Sequence, residues 1–389
     1  MKKDKLYLIG PTESILTKRG NRFPNIAKYF VEDGKEVVYY TSNFYHAEKR
    51  FFSNQEINEA KLKLGYNLKV LRVLGYYSNV SPRRVLNNLF FSIAIFFRLL
   101  FTVQKNDRIL LPSRPVELIF FMSLLKKIKG VHICLDIQDI WPDALEIENK
   151  KKKRIFEFYC NMYLKSSLKK YDKTFHTAPT FKKWLQRYTK NTPSVFIPLG
   201  WENTRWQDFE KKEVADNDVL KMVCVAQLQH QIDVMPILEV LKLRKDCHLT
   251  IIGEDGKGER YQEVQSFIET NLINNVKIIG KVDREDMKFH LESMDVGLLP
   301  MITPSIPNKI FDYLAAELPI IVLGDNDSSD FVLQNNIGWS CGFDSNELVL
   351  IIDSLSQASL IKKTKQTKLI KDKYSRDKLH VEMKQVLFN

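Results

Sequence analysis

Short apolar runs alternate with longer amphipathic segments along the whole chain. The runs end at glycine, proline or charged residues, and they have the continuous apolar character of strands that are buried on both faces. The segments between them repeat their apolar residues at helical spacing. This alternation predicts parallel α/β sheets that are covered by helices.

The predicted strands fall into two series. The first series is LYLIG (6–10), EVVYYTS (36–42), RILLPS (108–113) and HICLDIQD (132–139). The second series is LKMVCVAQL (220–228), HLTIIG (248–253), VKIIG (276–280), VGLLP (296–300) and LPIIVLG (318–324). A polar stretch that opens with a Pro-Leu-Gly turn separates them and is typical of an interdomain connection. We therefore predict two Rossmann-like, doubly wound domains at 1–200 and 201–375, and a final helix at 376–389 that packs back toward the first domain.

Composition narrows the classes of partner. The net charge of +12 favours an anionic partner. The chain has no zinc-finger spacing, no RNP-like aromatic pattern and no heptad-plus-basic region, so we expect no nucleic acid partner. Its five cysteines are scattered, which is typical of buried, reduced thiols in a cytoplasmic protein. The first apolar stretch is too short for a signal peptide and predicts a strand instead.

The most lipid-like segment lies at 82–105. Two asparagines and an arginine interrupt it, so it falls short of the roughly 18–20 continuous apolar residues that a spanning helix needs. Two interpretations stay open, and they are compatible. The segment is a buried helix packed on the first sheet, or an interfacial helix whose aromatic side enters lipid while its flanking basic residues lie near anionic headgroups.

Two loops of the first domain are candidates for ligand contacts. The loop after the first strand contains Gly10 and Gly20 and leads into a helix near Pro24, so its backbone can approach a phosphate. An ordinary strand-to-helix loop explains the same pattern. The fourth strand ends in DIQDIWPDAL (136–145), and ligands of open α/β sheets bind outside this carboxyl edge.

The polar residues of that fourth-strand loop are expected to face a cleft. They are Asp136, Gln138, Asp139 and Trp141. The alternative is that Asp139 caps the following turn and that Trp141 packs inside the domain.

The segment 302–324 reads as a loop, a helix and a strand. Pro307 is expected in the first turn of the helix, so that the next amides point outward. These amides belong to Asn308, Lys309 and Ile310. Together with the Lys309 ammonium they form a diphosphate site that needs no metal. Asp312, one turn further on, is placed to accept hydrogen bonds from ribose hydroxyls, although Lys309 and Asp312 also fit an ordinary surface helix pair.

At this point the chain resembles a known family. VCVAQL, IIGEDG, KIIGKVDREDMKFHLESMDVGLLP and IPNKIFDYLAAELPII, in that order, resemble the carboxyl-terminal half of family 4 retaining glycosyltransferases. GPTES, TSNFYHAEKR and QDIWPDAL resemble the subgroup that acts on aminosugars and deoxysugars in bacterial surface polysaccharides. The resemblance covers residues 6 to about 375. It implies the GT-B architecture, with two Rossmann-like domains facing each other across a cleft, and a capsule or O-antigen enzyme.

The chain departs from the family pattern at three points. The family's two glutamates, eight residues apart, map onto Pro304 and Asp312. The arginine and lysine that many relatives place after the first strand of the second domain map onto Gln227 and its neighbourhood. The histidine of the fourth-strand motif is Gln138 here. Phosphate binding must therefore shift to Lys309, to backbone amides or to Arg19.

The resemblance implies a role for each candidate residue. The nucleotide would lie against the second domain and the acceptor against the first. The expected catalytic residues are Gln138, Asp139, Lys309 and Asp312. The expected donor contacts are Gly20, Gln227, Gly253, Glu254, Pro307, Asn308, Lys309, Ile310 and Asp312. The expected acceptor contacts are Arg19, His46, Lys49, Arg50 and Trp141.

The resemblance also implies the substrates. The donor is expected to be a UDP- or GDP-sugar, and the acceptor a polyprenyl-diphosphate-linked saccharide. No cofactor and no metal are expected, and the DND at 325–327, which looks like a metal-binding D-x-D, is better explained as a turn. The enzyme would act at the cytoplasmic face of the cell membrane, in peripheral contact through residues 82–105. A non-catalytic scaffold of a polysaccharide assembly and a nucleotide-sugar epimerase stay open as alternatives.

Overall fold

The computed structural model describes residues 5–17, 21–145, 147–212, 219–228, 231–253 and 258–388. The chain divides into two compact units. Unit 1 comprises Met1–Ile197 and His380–Asn389, and unit 2 comprises Pro198–Leu379. Each unit is built on one parallel sheet flanked by helices, which confirms the predicted α/β class.

Unit 1 holds nine of the strands in the described ranges. They are β1 Lys5–Gly10, β2 Glu36–Ser42, β3 Phe44–Tyr45, β4 Arg50–Phe51, β5 Asn67–Leu71, β6 Arg108–Pro112, β7 His132–Ile137, β8 Lys173–His176 and β9 Ser194–Phe196. Its helices are α1 Arg22–Glu32, α2 Asn54–Leu62, α3 Pro82–Thr102, α4 Val116–Lys129, α5 Lys150–Ser167 and α6 Pro179–Gln186. The sheet runs in the order β5-β2-β1-β6-β7-β8-β9, and β3 and β4 form a separate antiparallel hairpin.

This strand order fixes where a ligand can enter unit 1. The chain starts in the middle of the sheet with β1, moves outward through β2 and β5, and returns to the other side of β1 with β6. The connections that leave β1 and β6 therefore run in opposite directions and open a crevice at the carboxyl end of the sheet. The centre of the sheet is fully buried, as Leu6, Leu8 and Ile9 show.

Helix α3 has one face inside unit 1 and one face in solvent. It begins behind the capping side chain of Ser81, and it buries Phe91, Ile95 and Leu99. Among the described helices, α3 is the one long and apolar enough to cross a membrane by length and composition, with a mean hydropathy of 1.7 over its most apolar window. Only 33% of that window is buried in the unit. The interruptions noted in the sequence thus do not lower its hydropathy below that of a spanning helix.

Unit 2 repeats the same architecture with fewer strands. Its described strands are β10 Leu220–Val225, β11 Cys247–Ile252, β12 Val276–Ile279, β13 Val296–Pro300, β14 Ile320–Leu323 and β15 Gly338–Cys341. Its described helices are α7 Met235–Leu243, α8 Glu259–Thr270, α9 Met287–Leu291, α10 Asn308–Ala315, α11 Asp327–Gln334, α12 Ser345–Ser354 and α13 Gln357–Lys371, and α14 Arg376–Phe388 ends within unit 1. The order β12-β11-β10-β13-β14-β15 places the switch point between β10 and β13.

One tyrosine anchors α10 beside that switch point. Tyr313 is fully buried, its hydroxyl accepts a hydrogen bond from the Val225 amide at 2.8 Å, and it donates to the Leu298 carbonyl at 3.1 Å. A Cβ atom at Gly297 would lie 2.7 Å from the Tyr313 ring, so only glycine lets the ring lie this close to β13. Tyr313 therefore ties α10 to β10 and β13.

Candidate functional site

A polar pocket opens at the switch point of unit 1, with a cavity volume of about 410 Å³. The loop after β1 contributes Glu13, the loop after β6 contributes Arg114, and the β3–β4 hairpin contributes His46 and Lys49. Gln138, which directly follows β7, also lines the pocket. Three of the residues expected from the sequence, namely His46, Lys49 and Gln138, therefore come together in one pocket.

His46 is a neutral hydrogen-bond donor in this pocket. Its Nδ1 lies 2.5 Å from the Tyr76 hydroxyl and 3.2 Å from Lys49 Nζ. An ammonium group can only donate, so Nδ1 accepts and the ring proton is on Nε2. Burial, together with the positive charges of Lys49, Arg84 and Arg114, lowers the pKa of His46 to about 3. The ring thus stays uncharged at neutral pH.

The backbone of Lys49 is held in the left-handed region, with φ of 55°. A residue with a Cβ atom is strained in this conformation by about 1–2 kcal/mol, whereas glycine and asparagine adopt it more easily. The Lys49 ammonium donates to the Asn79 side-chain carbonyl at 2.5 Å.

Two charged residues of the pocket were not among the sequence candidates. Glu13 accepts a hydrogen bond from the Phe23 amide at 3.1 Å, and burial raises the pKa of its carboxyl group. Arg114 forms an ion pair with Asp139 at 3.1 Å. Neither Glu13 in GPTES nor Arg114 after β6 belongs to a local motif. What relates them is that both loops flank the switch point of the sheet.

The structure corrects the placement of several fourth-strand residues. Asp136 is fully buried and does not face the pocket, because it forms a two-pronged ion pair with Arg22 at 2.7 and 3.0 Å. Gln138 donates to Asp136 at 2.8 Å and is thereby oriented. Asp139 is paired with Arg114, and Trp141 is buried against Phe156. Trp141 thus packs inside the unit and also lines a second recess of unit 1.

Other expected residues lie away from the pocket or outside the described residues. Arg50 is solvent-exposed and binds Glu48 and Glu56 at 2.7 and 2.8 Å, so its side chain does not line the pocket. Arg19, Gly20 and Glu254 lie outside the described residues.

In unit 2, the amino terminus of α10 lies beside the end of β10. The helix begins at Asn308, and Pro307 is its N-cap instead of a first-turn residue. The Ile310 amide donates to the Pro307 carbonyl at 3.2 Å, so it is not directed outward as expected. The amides of Asn308 and Lys309 make no hydrogen bond to any described residue. Two amides, not three, are thus available to an anion at this helix terminus.

Lys309 has a largely covered side chain without a partner. No hydrogen bond or ion pair joins its ammonium group to the residues that the structure describes. Burial lowers its pKa from the ordinary value of 10.5. The ammonium group interacts electrostatically with Asp312, and because no hydrogen bond compensates its burial, its hydrogen-bonding capacity is unfilled. This arrangement fits a phosphate group.

Only one of the two carboxylate oxygens of Asp312 is hydrogen-bonded to a described residue. Its Oδ1 accepts a hydrogen bond from Arg205 at 2.5 Å, and both side chains are largely buried. Its Oδ2 has no partner among the described residues, which leaves it open to a hydroxyl group. Close by, Arg376 pairs with Glu202 at 2.9 Å. Arg205 was not among the sequence candidates, because it lies in the stretch that was interpreted as an interdomain connection.

The remaining candidates of unit 2 lie around the same sheet edge. Gln227 follows β10 and is half-buried. Gly253 follows β11 with φ of 107°, a conformation that favours glycine. Pro304 is exposed in the loop before α10. In the DND segment, Asn326 caps α11, and no group of metal-binding side chains occurs in the described ranges.

Comparison with known proteins gives the fold a name. The structure is similar to sucrose-phosphate synthase from Thermosynechococcus elongatus, with a TM-score of 0.73, 12% identity and coverage of 99% of this chain and 98% of that chain. It is also similar to Anabaena HepE in complex with UDP, with a TM-score of 0.70, 11% identity and coverage of 99% of each chain. A third similar structure is WaaG, a glycosyltransferase involved in lipopolysaccharide biosynthesis, with a TM-score of 0.66, 11% identity and coverage of 98% of this chain and 99% of that chain. At such low identity, these likenesses establish the GT-B fold.

The sequence comparison concerns unit 2. Residues 221–356 match the family model described as Glycosyl transferases group 1. None of the curated proteins matches the chain in sequence. The matched range contains β10, α10 and the unpartnered Lys309. The family match together with the GT-B fold identifies a glycosyltransferase of the GT-B type.

Proposed function

We propose that this glycosyltransferase moves a sugar, with retention of configuration, from a UDP- or GDP-sugar to a polyprenyl-diphosphate-linked saccharide. We assign it to the family 4 type that builds bacterial capsule or O-antigen polysaccharides, and we expect it to need neither a cofactor nor a metal. The observation that carries the donor assignment is the unpartnered Lys309 ammonium beside the free amides of Asn308 and Lys309. HepE, a structural relative, has been crystallised with UDP and with UDP-glucose, which supports uridine nucleotides as the first donors to test.

In this proposal, the α10 terminus stabilises the leaving group. The bond between the anomeric carbon and the phosphate oxygen breaks, and the acceptor hydroxyl oxygen bonds to the anomeric carbon. The hydroxyl proton passes to an oxygen of the departing diphosphate, so no protein carboxylate is consumed. Lys309 and the two amides offset the negative charge that grows on the diphosphate. The open oxygen of Asp312 accepts a ribose hydroxyl.

The polar pocket of unit 1 is proposed to hold the acceptor. Lys49 and Arg114 give it a positive character that suits a diphosphate-linked substrate. Gln138 and the Nε2–H of His46 offer hydrogen bonds to sugar hydroxyls. Glu13, with its raised pKa, is a further acceptor of hydrogen bonds there.

The test of the donor site is nucleotide binding without metal. We expect one of UDP, GDP, dTDP and CMP, in the presence of EDTA, to raise the melting temperature by about 4–8 °C at 100 times its Kd. In Lys309→Ala this shift should largely disappear, and turnover should fall by about 10²–10³. Lys277→Ala, which removes an exposed lysine of β12, is the matched control. No shift with any of the four nucleotides, and no transfer from the corresponding nucleotide-sugars, would instead favour the non-catalytic scaffold.

A peripheral membrane contact through residues 82–105 is part of the proposal. Phe90, Phe97 and Phe101 form one exposed stripe on α3. Four lysines and an arginine at 150–154 occupy the first turn of α5, where the helix dipole disfavours cations, so an anionic surface is a fitting partner for them. Sedimentation with vesicles of anionic lipid measures this contact. We expect most of the wild-type protein to sediment with the vesicles, and most of the double variant Phe97→Ser/Phe101→Ser to stay in the supernatant. Equal binding by the wild type and this variant would refute the contact.

A further inference from the structure

Beside the polar pocket, unit 1 contains a second recess, which we call the apolar groove. It lies between the first turns of α3 and α5 and has a cavity volume of about 570 Å³. Its walls include Val85 and Leu86 of α3 and Ile155 and Phe156 of α5. Leu86 is 56% exposed and Ile155 is 69% exposed. A concave apolar surface of this kind is typical of a ligand site.

The inner end of the apolar groove is charged and incompletely paired. Arg84 and Glu117 line it, and they are only 7% and 1% exposed. Arg84 Nε and Glu117 Oε2 have no hydrogen-bond partner among the residues that the structure describes. A buried guanidinium nitrogen without a partner is unfavourable. An anionic group bound at this end would accept a hydrogen bond from Arg84 Nε. Burial raises the pKa of the Glu117 carboxyl group, which favours its protonated, uncharged form beside an anion.

The groove and the polar pocket share a wall. Asn79 lines both of them. Its backbone carbonyl accepts a hydrogen bond from Arg84 at 2.6 Å, and its side-chain carbonyl accepts one from Lys49 at 2.5 Å. The Arg84 guanidinium lies over the rings of Trp141 and Tyr76, at 4.8 and 5.6 Å from their centroids. A cationic junction thus separates a polar pocket from an apolar groove.

We propose that the apolar groove binds the first isoprenoid units of the lipid-linked acceptor, while its diphosphate lies at the Lys49–Arg84 junction and its sugar in the polar pocket. The inference rests on the proposed function for its substrate class. The exposed stripe of α3, formed by Phe90, Phe97 and Phe101, begins one helical turn beyond Leu86 and does not line the groove. The groove is a recess whose inner end is charged. The polar pocket, the cationic junction and the apolar groove follow one another in the order that the sugar, the diphosphate and the isoprenoid chain have in the acceptor.

Binding of farnesyl diphosphate, measured by titration calorimetry below its micellar concentration and without any donor, tests this proposal. Farnesol and inorganic diphosphate are the two comparison ligands, because each carries one half of the recognised chemistry. We expect farnesyl diphosphate to bind at least about tenfold more tightly than either. Leu86→Ser and Ile155→Ser should each weaken it about five- to tenfold, because each removes apolar contact. Both should leave the affinity for inorganic diphosphate unchanged.

The matched controls lie on the same two helices but outside the groove. Phe90→Ser on α3 and Phe158→Ser on α5 remove apolar side chains that are 46% and 75% exposed, and they should leave the affinity unchanged. All four positions are well exposed, and an unchanged melting temperature verifies folding. Equal losses in groove and control variants, or farnesyl diphosphate binding no better than inorganic diphosphate, would overturn the groove.

The binding assay separates this inference from the function on which it rests. Groove-dependent binding without transfer to any lipid-linked acceptor refutes the proposed function and leaves the groove standing. Transfer that is insensitive to Leu86→Ser and Ile155→Ser, with an unchanged KM for the long-chain acceptor, refutes the groove and leaves the function standing.

Discussion

Each unit has a buried arginine–aspartate pair beside its candidate site. The two pairs differ in how many of the aspartate's oxygens are already hydrogen-bonded within the protein. In unit 1, both oxygens of Asp136 are occupied, by Arg22 and by Gln138, and Arg22 also donates to the Ile197 carbonyl at 2.9 Å. In unit 2, Arg205 binds only one oxygen of Asp312. A pair with every group satisfied is a structural tie between β7 and α1. A pair with one open oxygen retains capacity for a ligand.

The largest expected effect separates these two pairs by stability. Arg22→Met leaves the buried Asp136 carboxylate without its partner and should lower the opening free energy of unit 1 by about 3–5 kcal/mol. Arg205→Met should lower that of unit 2 by roughly 1–2 kcal/mol, since Asp312 retains access to water. Hydrogen-exchange mass spectrometry, which reads β7 and β10 peptides separately, measures both values.

A double variant is the control for that comparison. Arg22→Met with Asp136→Leu removes both charges and should recover most of the lost stability, because a buried ion pair can be replaced by apolar residues. If Arg22→Met and Arg205→Met destabilise their units equally, the two pairs do not differ in closure.

The α10 terminus, which is the proposed donor site, could be predicted from sequence to a greater extent than the polar pocket, which is the proposed acceptor site. The α10 terminus consists of neighbours in the chain, so a proline, a lysine and a helix pattern sufficed to find Lys309. The polar pocket is built from the loops after β1 and β6 and from a hairpin, and only the strand order β2-β1-β6 brings them together. Glu13 and Arg114 were missed for this reason.

Local pattern also failed for the short strands. β8 and β9 (KTFH and SVF) are too short and too mixed in polarity to be told from loops. β8 forms a strand because the edge of β7 offers it backbone partners, and β9 pairs in turn with β8. Arg205 was missed because its surroundings are polar in composition, although the neighbouring Trp206 is buried in unit 2.

A second prediction concerns the charge of Lys309. Because burial lowers its pKa, the amine loses its proton at a lower pH than an exposed lysine does. The protonated form binds the nucleotide, so affinity should be constant below this pKa and should fall by up to about tenfold per pH unit above it. Nucleotide titrations between about pH 7 and pH 10 measure this decline.

Lys309→Arg is the matched variant, since a guanidinium keeps its charge throughout this range. Its affinity for the nucleotide should vary little with pH, even if it is lower overall. An equally steep decline in Lys309→Arg would assign the titration to another group, and the unpartnered ammonium would then not be the phosphate ligand.

The smallest expected effect concerns Lys49, and it tests whether the strained backbone at this residue is compensated by a role of the Lys49 charge. Lys49→Asn preserves a side chain that tolerates the left-handed backbone, so stability should rise by up to about 1 kcal/mol. The same change removes a cation from the polar pocket, and we expect KM for the lipid-linked acceptor to increase about three- to tenfold. Thermal unfolding and steady-state kinetics measure the two effects.

Arg50→Asn removes a positive charge one residue away, but that side chain is exposed and does not line the pocket. It should therefore leave KM nearly unchanged. Equal increases in KM for Lys49→Asn and Arg50→Asn would mean that the acceptor responds to the overall charge of the hairpin. A rise in stability, with an increase in KM for Lys49→Asn alone, would instead mean that the strained turn holds one ammonium group at the junction with Asn79. The polar pocket would then use its charged groups for a ligand, whereas the closed Arg22–Asp136 pair uses its charged groups for stability.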